Sequence, residues 1–239
     1  MNCRLCHVEL NPSNKCDAHI LPRSLLKAMS PEEYGKLLIV GTDMGKEKRA
    51  PTGSYDTEIL CRTCDGKLGD FDKYALKFVN SSTLVDHPSG VGWIIKGVNQ
   101  NKLKLFCISY LWRASITSRP EFRGVSLGAK HEEIIRCLLL QDASLKPEDY
   151  STVFAKFVRK DDNFGGVMFP AKTRINNFLY YEAYLPKLYK FWVKVDKRVD
   201  PVTSQLSLGT NSDMFVHNKG DFDTSRELGI MVKAARKSQ

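Results

Sequence analysis

The residues of this sequence with the clearest chemical potential are two pairs of cysteines, Cys3 with Cys6 and Cys61 with Cys64. A C-x₂-C segment forms a tight turn that presents two thiolates to one ion, and structural zinc binds four such ligands at about 2.3 Å. Two pairs therefore predict one closed zinc site. The 54 residues between the pairs do not oppose this prediction, because loop-closure entropy grows only slowly with length.

The alternative interpretation is that the four cysteines are unrelated, with Cys3 too near the terminus to be ordered. The other three cysteines have no partner at metal-ligand spacing. We expect Cys107 and Cys137 in the core, since both fall on apolar faces of expected helices, whereas Cys16 has no assigned role. His7 follows Cys6 directly, but four thiolates already fill a tetrahedral site.

Composition restricts the classes of protein to consider. The chain has 239 residues, of which 42% are hydrophobic and 26% charged, which argues against a disordered protein. No segment approaches the ~18 consecutive apolar residues of a membrane span, and the first residues do not resemble a signal peptide. We therefore expect a cytoplasmic protein with no membrane partner, whose cysteines bind metal or fill the core rather than form disulfides.

The charges and the cysteines are distributed differently along the chain. The formal net charge is +9, of which residues 1–80 carry +1 and residues 81–239 carry +8, whereas five of the seven cysteines precede residue 65. This difference, and the Pro/Gly-containing segment HPSGVG, predict a domain boundary near residue 80. The basic surplus predicts a polyanionic partner, most simply nucleic acid.

A histidine lies between the two cysteine pairs in a recognisable context. The first pair is followed by DAHILPR (residues 17–23), and the second is preceded by YDTEIL (residues 55–60). The order C-x₂-C, His-Ile-x-Pro, an acidic position and L-C-x-x-C resembles the HNH endonucleases of the ββα-metal superfamily. It is most similar to a bacterial branch with an AHIIP or SHIIP motif, which is associated with defence against phage. The resemblance covers residues 1–80.

The resemblance implies a zinc-stabilised ββα-metal domain in residues 1–80, followed by a mixed α+β domain in residues 81–239. A β-hairpin would carry His19, and a helix would begin near Cys61. The implied activity is metal-dependent hydrolysis of phosphodiester bonds in DNA, in prokaryotic antiviral defence, where a defence-system partner protein is a further expectation. His19 would be the general base that activates water, a role for which an imidazole pKa near neutrality is suited.

The resemblance implies only part of a ligand set for the catalytic metal. Most HNH enzymes have an acidic ligand where this chain has Ala18. Asp56 matches the Asn position of the motif and Asp65 the position after the last cysteine. Two such carboxylates favour Mg²⁺ or Mn²⁺. Asp70 and Asp72 would also reach the site if the helix continues past two glycines.

Each of these assignments has a structural alternative. His19 would be a buried structural histidine, and the two acids would be charges on a helix surface. The chain would then be a non-catalytic, zinc-stabilised DNA-binding or protein-interaction module. Ala18 favours this alternative, whereas the combination of His19 with Asp56 and Asp65 favours the enzyme.

Periodicity in the second part indicates a mixed α+β fold. Apolar spacing predicts an amphipathic helix at 101–117. The segment HEEIIRCLLLQD, with Gly128 before it and Pro147 beyond it, predicts a second helix at 131–142. We expect strands at 151–159 and 166–169, a strand pair joined around Pro186 and Lys187, and a C-terminal helix with a basic end.

Four basic residues are candidates for nucleic-acid binding. Arg23 and Lys67 lie in the nuclease-like part, where they would contact phosphate near the metal. Lys190 and Lys194 share a strand face with Trp192, an arrangement that would neutralise phosphates and stack on a base. The alternative is a solvated strand face with the tryptophan in a second core. We expect Arg113 to be structural.

Overall fold

The computed structural model of the protein describes residues 1–29, 38–39, 48–160, 164–196 and 198–238. The helices and strands of these residues confirm the mixed α+β class. In chain order the elements are β1 (Ala18–His19), α1 (Arg23–Met29), β2 (Leu38–Ile39), β3 (Lys48–Arg49), β4 (Tyr55–Asp56), α2 (Arg62–Ser81), β5 (Val85–Asp86), β6 (Gly92–Ile95), α3 (Gln100–Ile116), α4 (Ala129–Gln141), β7 (Thr152–Val158), β8 (Ala171–Ile175), β9 (Phe178–Leu185), β10 (Tyr189–Lys194), β11 (Met214–Asp221) and α5 (Arg226–Ser238).

The first part of the chain contains a very short strand pair and a long helix. β1 and β4 pair antiparallel, with Ala18 opposite Asp56 and His19 opposite Tyr55. The backbone of Cys61 is extended and forms the N-cap of α2, which runs without interruption past Gly66 and Gly69. A strand thus carries His19 and a helix begins directly after Cys61, as the resemblance implies, but β1 and β4 are separated by residues 20–54 and do not form a hairpin. The ββα-metal domain stays a prediction.

The second part is built on a seven-stranded sheet with the order β5-β6-β11-β7-β10-β9-β8. Its pairs are antiparallel except β11 with β7, which is parallel. The predicted hairpin of β9 and β10 is confirmed, with Lys190 opposite Tyr184. The predicted strand at 166–169 is wrong, and β8 begins only after Pro170. Val167 and Phe169 pack on the core from an irregular segment, and Pro170 has no N–H for a ladder.

Helices α2 and α3 pack on one face of this sheet. Phe78 of α2 contacts the rings of Phe154 and Tyr189, and Tyr110 of α3 contacts Phe191. The predicted helix at 101–117 is confirmed as α3, but it is not amphipathic: residues 103–114 are all buried, including Arg113. α2, α4 and β10 all contact α3 and enclose it.

The two parts of the chain share one core. A single cluster of buried apolar residues contains Leu68 and Phe71 of α2 together with Leu111 of α3 and Val216 of β11. The boundary near residue 80 stays a prediction; α2 ends at Ser81. Among the described residues, no helix combines the length and apolarity needed to cross a bilayer.

Candidate metal centre and adjacent cleft

The four cysteines of the two C-x₂-C pairs converge. Their sulfur atoms all lie within 4.8 Å of one another, and Cys6 Sγ is 3.8 Å from Cys61 Sγ. Zinc–sulfur bonds of about 2.3 Å in a tetrahedron place two sulfurs about 3.8 Å apart. The same distance is far too long for a disulfide. The four-thiol donor set therefore fits a zinc-like ion.

Two different local structures present these thiols. Residues 2–9 form a tight hairpin in which Cys3 N donates to Val8 O and His7 N donates to Cys3 O, both at 2.8 Å. His7 has a left-handed φ of 65°, which lets the chain turn directly after Cys6. The second pair lies at the start of α2, and burial raises the pKa of the Cys64 thiol there.

Backbone amides link the two pairs. Cys61 N donates to Cys3 Sγ at 3.3 Å, and Arg4 N donates to Ile59 O at 2.8 Å. Burial acts to raise the pKa of the Cys3 thiol, but hydrogen bonds from the backbone of Cys6, Cys61 and Leu5 outweigh it and lower that pKa. The site is thus preorganised for a negatively charged sulfur at Cys3.

The remaining cysteines lie outside this cluster. The Cys16 thiol donates to Leu60 O at 3.6 Å, and burial raises its pKa to about 11, so it is an inert thiol. Cys107 is buried in α3, as expected. The prediction that Cys137 is a core residue is wrong: it is half-buried beside Glu133 and Arg136, because the face of α4 that carries it borders solvent.

A cleft of about 530 Å³ lies beside the metal centre, between α1, α2 and the end of β1. Its lining includes His19, Asp65 and Asp72, together with basic side chains on three helices. These basic residues are Arg23 and Lys27 of α1, Lys73 of α2 and Arg113 of α3. Four basic and two acidic side chains give the cleft a net positive character, which suits an anionic ligand.

The hydrogen bonding of His19 defines its tautomer. Nδ1 lies 3.1 Å from Asp17 O, and since a carbonyl only accepts, Nδ1 must carry the hydrogen. Nε2 is then the basic nitrogen, and it is buried with no hydrogen-bond partner among the described residues. Burial of the ring lowers its pKa below the ordinary value, against the opposing effect of the Asp17 carbonyl. Burial therefore favours the neutral imidazole.

The structure separates the two carboxylates that the sequence grouped as metal ligands. Asp65 lies in the cleft with His19, and burial raises the pKa of its carboxyl against the opposing charge of Arg113. Asp56 lies opposite Ala18, on the other face of the strand pair from His19. Its Oδ1 accepts from Glu58 N at 2.9 Å and its Oδ2 from Thr117 Oγ1 at 2.6 Å.

The structure thus places Asp56 away from the cleft as an acceptor that joins β4 to the end of α3. Asp72 lies in the cleft instead. Asp65 and Asp72 are seven residues apart on α2 and therefore share one face of the helix. Among the described residues, the four cysteines are the only group of three or more metal-type ligands that converge. Ligation of Mg²⁺ or Mn²⁺ stays a prediction.

Three of the four candidate phosphate-binding residues are occupied by other protein groups. Lys67 donates to Leu140 O at the end of α4. Lys190 is buried, with Nζ 2.9 Å from Glu182 and 2.7 Å from Glu227. Lys194 is buried and donates to the carbonyl oxygens of Asp196 and Arg198.

The ammonium groups of Lys190 and Lys194 are buried and already hydrogen-bonded within the fold, which disfavours contact with phosphate; phosphate binding by the three lysines stays a prediction. The strand pattern suggests that Lys190 is exposed, but the sheet buries it. The rings of Tyr184 and Trp192 both lie 4.9 Å from Lys190 Nζ. The half-buried Trp192 belongs to this cation–π arrangement. Arg23 is exposed and lines the cleft, and its contact with phosphate stays a prediction.

Comparison of the chain with models of protein families, with curated proteins and with solved structures finds no match. The likeness to HNH endonucleases accordingly depends on the motif residues of positions 1–80 alone.

Proposed function

We propose that the chain is a metal-dependent HNH-type endonuclease that hydrolyses phosphodiester bonds of DNA, with His19 as general base. The observation that carries the proposal is the buried, unpartnered Nε2 of His19 beside a basic cleft. A buried polar atom without a partner costs about 1–3 kcal/mol, so a native structure that keeps one usually reserves it for water, an ion or a ligand.

The state of the imidazole supports this role. A neutral ring with hydrogen on Nδ1 has its lone pair on Nε2, the form that removes a proton from water. The Asp17 carbonyl would then stabilise the imidazolium that forms. The hydroxide would attack phosphorus, and Arg23 and Lys27 would hold the flanking phosphates in place.

A divalent ion would supply charge stabilisation of the phosphorane-like transition state and the leaving oxygen. Asp65 is the carboxylate best suited to hold it, since it lies in the cleft and forms no ion pair or hydrogen bond through its side chain with another described residue. Asp72 is less suited, because Arg113 already occupies both of its oxygens.

A second candidate function is a non-catalytic zinc-stabilised module that binds DNA or protein. It is favoured by Ala18, which is fully buried where HNH enzymes have a ligand, and by the position of Asp56 on the opposite face. Both candidates retain the zinc site. They differ in whether the cleft performs chemistry.

Nicking of supercoiled plasmid with Mg²⁺ or Mn²⁺ at low salt, with and without neighbouring gene products, separates these functions. If the chain is an endonuclease, His19→Ala should abolish nicking while DNA binding is retained. His87→Ala is the matched control, because His87 lies in the second part, outside the cleft. Wild-type protein that binds DNA without nicking it under every condition would support the module.

A further inference from the structure

We infer that Arg113 of α3 is a positioning residue that holds His19 in its productive geometry. This role rests on the proposed function of His19. Arg113 is 1% exposed and lies at the contact between the second part and the cleft. Its Nη1 donates to the backbone oxygen of His19 at 3.0 Å.

The strand that carries His19 needs such an anchor. β1 and β4 have two residues each, and a two-stranded ribbon of this size is marginal by itself. Beyond β1, Ile20 N donates to Ser54 O. The guanidinium fixes the carbonyl of His19, so the orientation of the imidazole depends on a residue 94 positions later in the chain.

Asp72 makes the buried charge of Arg113 tolerable. Its two oxygens accept from Nη1 at 3.0 Å and from Nη2 at 2.7 Å, a bidentate pair with planar complementarity. A buried guanidinium without this partner would be strongly unfavourable. Asp72 is thus committed to Arg113, which leaves Asp65 as the carboxylate of the cleft that can meet a ligand.

The rest of α3 explains why the anchor is precise. Residues 103–114 are buried on all sides, so the helix cannot shift without repacking the core. A functional group supported by a rigid element keeps its geometry better than one supported by a loop. The second part of the chain therefore completes the cleft of the first.

Thr117 provides a matched control. Its hydroxyl joins the end of α3 to Asp56, the β4 residue on the face away from His19. Thr117→Val removes one tertiary link between the same two regions without touching His19. If Arg113 acted on stability alone, substitutions of Arg113 and of Thr117 would affect His19 equally.

The test is ¹⁵N NMR of the five histidines of full-length zinc-loaded protein at pH 8, with His19 assigned by the loss of its signals in H19Q. Wild type and T117V are expected to show hydrogen on Nδ1 of His19 and a bare Nε2. R113M is expected to show a mixture of tautomers. R113K carries a point charge that cannot reach both Asp72 and the His19 carbonyl, so it is expected to resemble R113M. If R113M does not fold, R113K alone provides the test.

Plasmid nicking is measured on the same proteins. R113K is expected to lower kcat about 10- to 100-fold with little change in KM, the penalty for a misplaced reacting group, whereas T117V retains activity. Unchanged His19 tautomers in both Arg113 variants would overturn the positioning role, as would equal changes in T117V. If the wild type shows the expected His19 tautomer but does not nick plasmid, the proposed enzyme function would be overturned instead.

Discussion

Loss of one zinc ligand is expected to unfold the N-terminal hairpin while the rest of the fold persists. Cys6→Ser is the sharpest perturbation, since Cys6 is the exposed member of the cluster and its replacement removes a ligand with little loss of packing. The matched control is Cys16→Ser, a substitution in the same segment at a thiol outside the cluster.

The expected magnitude follows from what else holds residues 1–17. Leu5 and Leu10 are the buried aliphatic side chains of this segment before Cys16, and they contribute about 3–6 kcal/mol together. A four-thiolate zinc site contributes about 10–16 kcal/mol. Metal binding thus stabilises the segment more than its apolar packing does, and without the metal the entropy of the segment favours disorder. Helix α3 does not depend on zinc, because it is enclosed by α2, α4 and β10.

Hydrogen exchange with mass spectrometry measures this directly. In C6S we expect amide exchange in residues 1–17 to accelerate at least about 100-fold, while residues 103–114 stay protected. Metal analysis should find one zinc per chain in wild type and C16S. Retained protection in C6S or in chelated wild type would refute the reasoning, as would equal effects of the two substitutions.

Further predictions concern buried charges and the floor of the cleft. Lys190→Met leaves two carboxylates unpaired and should cost about 3–5 kcal/mol in urea unfolding without changing the salt dependence of DNA binding. Lys172→Met, on edge strand β8, should leave stability unchanged. Burial lowers the pKa of Lys104 to about 8 from 10.5, so the unfolded chain binds the extra proton between these values. The stability of wild type relative to K104M should therefore rise by about 3 kcal/mol from pH 8 to pH 10.5, and a flat difference would contradict this. Gly66→Ala and Gly69→Ala both meet open space and should each stabilise α2 by about 0.5–1 kcal/mol. Only Gly69 lines the cleft, so only G69A should reduce plasmid nicking.

The N-terminal cysteines illustrate what local pattern can predict. A C-x₂-C pair is a short-range structure, because the turn between its cysteines is set by the intervening residues. Two such turns predicted one site, and the convergence of four thiols confirms a cluster that could hold zinc. Local signals likewise predicted helices at 101–117 and 131–142, and the structure has helices at 100–116 and 129–141, although α3 is buried on all sides rather than amphipathic.

The charged residues show where pattern fails. The sequence of β10 alternates apolar and polar residues, but the strand is buried on both faces except at half-buried Trp192. The alternation does not reveal that Glu227, from a helix over 30 residues later, covers Lys190. Likewise the motif grouped Asp56 with Asp65, although the register of β1 with β4 directs Asp56 to the other face. The spacing of Asp65 and Asp72 on α2 was a usable signal for the cleft, whereas nothing in the sequence marked the bonds of Arg113.

The sequence by itself therefore determined the candidate ligands, the position of His19 and most of the elements, since each depends on neighbours within a turn or two. Only the tertiary structure decided which charges meet. A buried charge is tolerated where a partner lies within hydrogen-bond distance, and such partners come from distant parts of the chain. The pairing of Arg113 with Asp72 and His19 is of this kind, and it makes the cleft a joint product of both parts of the protein.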